Sequence, residues 1–210
     1  MRILIIDHAC CDPPDTRPHL LRGRLMESGV EAAVCGPSSV PSLASQPEGM
    51  FGIHLHDIAA ASRRLHAAVT SGDAGMLLTA LAGVSPRLLG LARETARQAL
   101  AEAVDAFDPD AIFVLHAGIL ADLAIETGVP VALHVAATDL AAAGGRVRGL
   151  VLAALGSCAV VAVDAAATAA AIRRDWADDA ALMEGPWIAG PDTAPQVLAA
   201  CQAAVMSRRL

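Results

Sequence analysis

Three runs in this 210-residue chain, Ile3 to Ile6, Ala111 to Leu115 and Ala159 to Val163, are apolar at every position, and a fourth, Val131 to Val135, admits only His134. A strand with one face in water alternates polar and apolar side chains. A strand without that alternation has to be covered on both faces, which is what a parallel sheet between helices provides. Helical segments separate the runs. Between Arg17 and Ser28 the residues Leu20, Leu21, Leu25 and Met26 recur at helical spacing, and Gly29 ends the segment before a second strand, Val30 to Cys35. Phe51 to Leu55 reads as a strand and Ile58 to Val69 as a helix. Ser85 and Pro86 supply an N-cap and a first helical residue, opening a long helix to Phe107 that Asp108-Pro109-Asp110 stops. Helices over Ile119 to Thr127, Arg146 to Leu155, Ala165 to Trp176 and Ala194 to Met206 complete the rhythm. The alternation predicts a single Rossmann-like α/β domain, a parallel sheet with right-handed crossovers and helices on both faces.

Composition narrows the setting. Aromatic residues make up 2% of the chain and Tyr is absent, so the core must be built from Ala, Val, Leu and Ile. The mean hydropathy is +0.50, yet Asp, Arg, Gly or Pro interrupts every apolar stretch before the roughly 20 residues of a spanning helix. No transmembrane segment is expected. Met1 leads directly into the first strand without a small-residue cleavage site, and the expectation is a cytoplasmic protein. Five cysteines in no regular framework fit reduced thiols, with Cys35, Cys158 and Cys201 as small core residues. The net charge is −7 and every cationic side chain is Arg, so no basic field exists to hold nucleic acid.

Several chemistries are excluded by absence. The chain has no G-x-x-x-x-G-K-[ST] loop and no G-x-G-x-x-G after its first strand, and so lacks the backbone cradle for NTP hydrolysis or dinucleotide binding. Neither a G-x-S-x-G elbow nor an H-E-x-x-H helix occurs. His8, Cys10 and Cys11 cluster soft ligands, but nothing completes a four-ligand metal site, and no metal or other cofactor is expected. Ligands of a parallel sheet gather at its carboxyl edge, which carries Asp7, His8, His116, Thr138, Asp139 and Asp164. His116 and His134 either share a cleft there or are satisfied polar residues at the rim of the core. Thr138 and Asp139 either cap a short helix or bind a ligand. His54 and His56 share one strand face and read as surface residues. Arg17, Arg22 and Arg24 read as a solvated helix face, or as a weak peripheral contact with anionic lipid or a phosphorylated acceptor.

The order of several segments resembles the amino-terminal domain of the family 4 glycosyltransferases, enzymes of the two-domain GT-B architecture. Met1 to Ile6 is similar to their opening strand, and Leu20 to Cys35 to the helix, glycine turn and strand that follow. Phe107-Asp108-Pro109-Asp110-Ala111-Ile112 resembles the family's F-x-P-D entry to its central strand. Gly128-Val129-Pro130-Val131, leading to Ala137-Thr138-Asp139-Leu140, resembles the G-V-P-V strand that ends in H-G-T-D-L. Asp164-Ala165-Ala166-Ala167 stands where the family has V-S-E-x, and Ile188 to Thr193 is similar to P-N-G-V-D-T near the domain junction. The match spans nearly the whole chain.

The resemblance implies one acceptor-side domain over residues 1–210, with the donor-binding domain lying outside the chain. It implies catalytic roles for His116 and Asp139, acceptor contacts for His134, Thr138 and Gly118, and a donor-side position for Asp7, Asp12 and Asp164. The implied partners are a sugar acceptor and a donor-binding domain, or a second copy, acting in trans. The departures are specific. Cys10 to Thr16 contains no Gly where the family has a glycine pair, Ala136 replaces the H-G-T-D histidine, and of an H-x-H-H run only His116 remains. The same departures support a second reading, a stand-alone binding or assembly module that kept the fold and lost the chemistry.

Overall fold

The computed structural model describes residues 1–8, 17–38, 48–55, 58, 62–71, 73–177, 179–184 and 193–207. Its strands are β1 (Arg2–Ile6), β2 (Glu31–Pro37), β3 (Met50–Ile53), β4 (Ala111–Val114), β5 (Val131–Val135), β6 (Val160–Val163) and β7 (Leu182–Glu184). All pairings are parallel, in the order β3-β2-β1-β4-β5-β6-β7. The chain therefore builds outward from β1, crosses back, and builds outward again from β4. The β1/β4 boundary is the point where the two directions diverge, and crevices at such points receive ligands in open α/β sheets.

The helices are α1 (Arg17–Glu27), α2 (Arg63–Ser71), α3 (Ala74–Ala82), α4 (Pro86–Phe107), α5 (Ala121–Glu126), α6 (Ala137–Ala142), α7 (Gly145–Ser157), α8 (Ala166–Asp175) and α9 (Thr193–Ser207). Every residue of β4, β5 and β6 is buried, as their uninterrupted apolar runs require. One apolar layer packs Leu4, Ile6, Ile112, Val114, Leu133 and Val161 under α2 to α5, α7 and α8. The other sets Ile3, Ile5, Phe113, Ala132 and Ala162 against α1 and α9. Small side chains on α9, such as Ala200 and Ala204, bring that helix close to the sheet.

Local signals explain most helix ends. Ser85 Oγ accepts the Leu88 amide at 3.3 Å and Pro86 opens α4. At its other end Asp108 takes the left-handed conformation at φ 48° and donates its amide to Val104, a conformation Asp tolerates better than most residues. Three elements differ from expectation. The α3 helix, with Asp73 as its N-cap, was not anticipated, and neither was the short edge strand β7. The α5 helix begins at Ala121, later than expected, and the Leu120 amide just ahead of it donates to the His8 imidazole. Cys35 and Cys201 are fully buried core residues, and burial pushes each thiol up to about 12.

Two side chains read from sequence as surface are structural. Arg22 crosses from α1 to donate from Nε to the Ala32 carbonyl at 2.9 Å and from Nη2 to that of Glu48 at 3.0 Å. His54 is half-buried, with both ring nitrogens shielded and unpartnered; His56 lies outside the described residues. Between α4 and α5, Arg93 makes a two-pronged pair with Asp122 at 2.9 and 2.6 Å, both side chains largely covered. Arg97 meets Glu126 and Glu94 in the open. Asp122→Ala leaves a covered guanidinium with only the Ile119 carbonyl and the more distant Glu126, with an expected loss of about 2–3 kcal/mol in urea denaturation. Arg97→Ala should cost less than about 1 kcal/mol in the same measurement.

Candidate functional site

Polar side chains appear where the strands run out. Asp7 and His8 follow β1, and His116, Ala117 and Gly118 follow β4, on the two sides of the switch point. The α6 helix follows β5 and brings in Asp139, which is 1% exposed. Asp139 Oδ1 takes His116 Nδ1 at 2.9 Å, and Oδ2 accepts the amides of Ala117 at 3.2 Å and Ala136 at 3.0 Å. The N-cap of α6 is thus Ala136, with Asp139 in the first turn reaching back to its amide, rather than Thr138 or Asp139 itself as the cap. The carboxylate accepts a ring proton at Nδ1, which leaves His116 Nε2 to face Asp7 Oδ1 at 3.7 Å, too long for a hydrogen bond and open to an intervening group.

Burial works hardest against a charge on His116, with Arg17 adding to it, but the hydrogen bond that His116 donates to Asp139 and the charges of Asp139 and Asp7 outweigh both. Its pKa is held above the ordinary histidine value. His8 behaves in the opposite way. Its Nε2 accepts the Leu120 amide at 2.9 Å, and it is 1% exposed. Burial, reinforced by the neighbouring His116, drives its pKa down to about 3, against weaker pulls from Asp139 and the Gly118 backbone. The two rings stand edge to face, 6.4 Å between centroids. One imidazole of the pair is therefore built to carry a proton and the other to stay neutral.

Gly118 makes this approach sterically feasible. A Cβ there would overlap Leu78 Cδ2 and come within 2.6 Å of His8 Nε2. Thr138 is exposed on α6, one residue from Asp139, and lines a cavity of about 1020 Å³ between α2, α3, α6 and the start of α4, together with Arg64, Met76 and Leu88. His134 is set apart. It is 0% exposed, and its two nitrogens meet the Leu115 carbonyl and Asp164 Oδ2, each at 3.0 Å. That ring ties the ends of β4, β5 and β6 together and has no nitrogen left for a ligand. Asp164 keeps nearly half its side chain exposed.

The fold thus brings together Asp7, His116, Gly118 and Asp139, separates His134 and Asp164 into a second pair, and turns Thr138 to a neighbouring cavity. Asp12, Cys10 and Cys11 lie outside the described residues, as does 188–192 of the junction-like segment. Among the described residues no group of three or more His, Cys, Asp or Glu could hold a metal ion. The sequence placed His8 on the carboxyl edge without giving it a role; its hydrogen bond to the Leu120 amide and its seat against Gly118 were not foreseen.

No protein-family model and no curated protein matches the sequence. Solved structures do match. Sucrose-phosphate synthase from Thermosynechococcus elongatus aligns in one structure over 100% of this chain and 98% of that one, with a TM-score of 0.59 and 11% identity. The fold is that of one GT-B glycosyltransferase half. In a longer structure of the same enzyme the match covers 87% of this chain and 47% of the other, at a TM-score of 0.56 and 10% identity. The chain spans about half the length of that enzyme chain. No helix among the described residues is long and apolar enough to cross a membrane.

Two outcomes follow from the GT-B-like edge. Gly118→Ala should lower stability by about 1–3 kcal/mol in urea denaturation, because a methyl group has to displace both Leu78 and His8. The two histidines set opposite pH limbs. Folded His116 binds its proton more tightly than the unfolded chain does, so its contribution is full below the ordinary 6.5 and fades as pH rises through the raised value. Folded His8 resists protonation, so stability falls as pH drops from 6.5 towards about 3. Urea denaturation across pH should show His116→Asn removing the first limb and His8→Asn the second.

Proposed function

We propose that this chain is the acceptor-side domain of a retaining glycosyltransferase. A second Rossmann-like unit, in a longer chain or in trans, would hold the nucleotide-sugar donor. The observation that carries this reading is the Asp139–His116 pair at the β1/β4 switch point, with Nε2 of His116 turned towards Asp7 rather than bonded. As the acceptor oxygen bonds to the donor's anomeric carbon, the bond from that carbon to the nucleoside diphosphate breaks, the diphosphate leaves, and the acceptor hydroxyl has to be oriented and give up its proton. His116 is the group that would touch that hydroxyl. Asp139, held by His116 and two amides, is the positioning residue: it fixes the tautomer and stabilises the imidazolium.

The remaining assignments follow from position. Thr138 opens on a cavity within the size range of small-molecule sites, where the rest of the acceptor would lie. Gly118 keeps the wall thin behind His8. Asp7 and Asp164, at the outer ends of their strands, would face the incoming donor, as the resemblance also implies for Asp12, which lies outside the described residues. His134 contributes indirectly, by tying β4 and β5 to Asp164.

The test is a titration of the full chain, labelled at histidine and followed by NMR, with a panel of methyl hexosides and with UDP-glucose. Saturable hexoside binding that moves the His116 signals is expected, weakened about ten-fold or more by His116→Ala. No saturable UDP-glucose binding is expected from this domain by itself. Hexoside binding that His116→Ala leaves unchanged would favour the stand-alone binding module, and tight UDP-glucose binding would contradict the division of labour proposed here.

A further inference from the structure

The cavity that Thr138 opens on is walled by four helices, α2, α3, α4 and α6, and its volume of about 1020 Å³ suits a small molecule. Six polar side chains of the described residues line it, and three of them are occupied as helix caps. Ser62 Oγ accepts the Leu65 amide at 3.4 Å, Asp73 Oδ1 the Met76 amide at 3.0 Å and Ser85 Oγ the Leu88 amide at 3.3 Å. The other three are Arg64, Thr79 and Thr138, and the two charged groups of the wall, Arg64 and Asp73, are of opposite sign. Between these groups the wall is carbon: Ala67 on α2, Met76 and Ala80 on α3, Leu88 on α4 and Ala141 on α6. Among the described residues no aromatic side chain lines it.

We propose that this cavity takes a hydrocarbon portion of the acceptor, so that the acceptor is an amphiphile with its hydroxyl-bearing head at His116 and its apolar body between α2, α3 and α6. The inference rests on the acceptor-domain reading above and names the substrate class of that same site. Hydrogen-bonding capacity decides what the cavity can hold. A sugar ring inside it would give up water at every hydroxyl and find few partners, and each hydrogen bond left unmet costs about ten-fold in affinity. A methylene group loses nothing on entering and gains about three-fold. Met76 is 46% exposed on this wall; its unbranched side chain adapts to an irregular apolar surface, and hydrocarbon laid against it takes that area out of water. Thr138 belongs to both places. Its side chain lines the cavity, and its neighbour Asp139 holds His116, so a molecule seated here directs its polar end to the strand edge.

The test is an NMR titration of the full chain, labelled at histidine and at the methionine methyl groups, with methyl, hexyl and octyl glucosides below their micelle-forming concentrations. The Met76 methyl is assigned by the signal that Met76→Leu removes. Hexyl glucoside should bind about ten-fold or more tighter than methyl glucoside, shifting Met76 and His116 with one Kd. Methyl glucoside should shift His116 and leave Met76 in place. Met76→Glu and Ala141→Trp, both at exposed positions of the wall, put charge or bulk where the hydrocarbon lies. Each should bring the hexyl and methyl affinities to within about three-fold of one another.

Equal affinity for all three glucosides, with His116 shifting and Met76 fixed, sinks this proposal and leaves the acceptor reading standing. That comparison needs no variant, so it decides even where a substitution disturbs folding. A chain-length gain that both variants leave intact would put the hydrocarbon on another surface and overturn the proposal as well. Met76 shifting while His116 stays fixed would make the cavity a site of its own, unconnected with the acceptor hydroxyl. No response from either residue to any glucoside sinks both readings.

Discussion

Two apolar layers press on the sheet from opposite sides, and neither tolerates a charge. An unpaired polar group inside either layer would lose its water without replacement, at a cost of about 1–3 kcal/mol for each unmet hydrogen bond. The strands β4, β5 and β6 are buried along their whole length, so with the single exception of His134 their side chains are apolar. Chemistry is thereby confined to the positions just beyond the strands. Because every strand is parallel, all of those carboxyl ends lie on one edge, and the crossover between β3 and β4 opens that edge between Asp7 and His116. The location of the candidate site is a consequence of how the core is covered.

At that edge one carboxylate holds several pieces of chain together. Asp139 binds the end of β4 through His116 and the Ala117 amide, and the start of its own helix through Ala136. Three hydrogen bonds thereby hold this carboxylate in place, and His116 Nε2 is left facing Asp7 at 3.7 Å. His134 and Asp164 repeat the pairing one strand further out, but there the ring is sealed and its other nitrogen is bound to Leu115. The same residue types thus do different work. Where the imidazole keeps an unbonded edge it can meet a ligand, and where both nitrogens are engaged it fastens strands.

The parts of the fold that were legible in the sequence are those decided by local pattern. Uninterrupted apolar runs marked β1, β4 and β6, and Ser85-Pro86 and Asp108-Pro109 marked the ends of α4. The α3 helix was missed although Asp73 caps it, because Gly75 in its first turn and Gly83 at its end broke up the periodic reading. β7 has three residues, none fully buried, and leaves no hydrophobic pattern to read. Of the site, Asp7, His116 and Asp139 could be placed at strand ends, since that follows from strand order alone. Their pairing could not, because it depends on β4 and β5 lying side by side with α6 turned inward. Arg22 and His8 were hidden for a related reason: their partners are backbone groups, of Ala32, Glu48 and Leu120, and a backbone group carries no signature in sequence.

The Leu120 amide links the absence of a phosphate cradle to the character of the site. In nucleotide-binding α/β folds, free amides at the start of a helix are turned towards phosphate. Here the amide just ahead of α5 is bound to an imidazole, α5 begins a residue later, and Gly118 serves the approach of His8 rather than of a diphosphate. The Leu120 amide is therefore not available to a phosphate group. The Leu120 amide and Gly118 are thus both committed to seating His8 between the ends of β1 and β4.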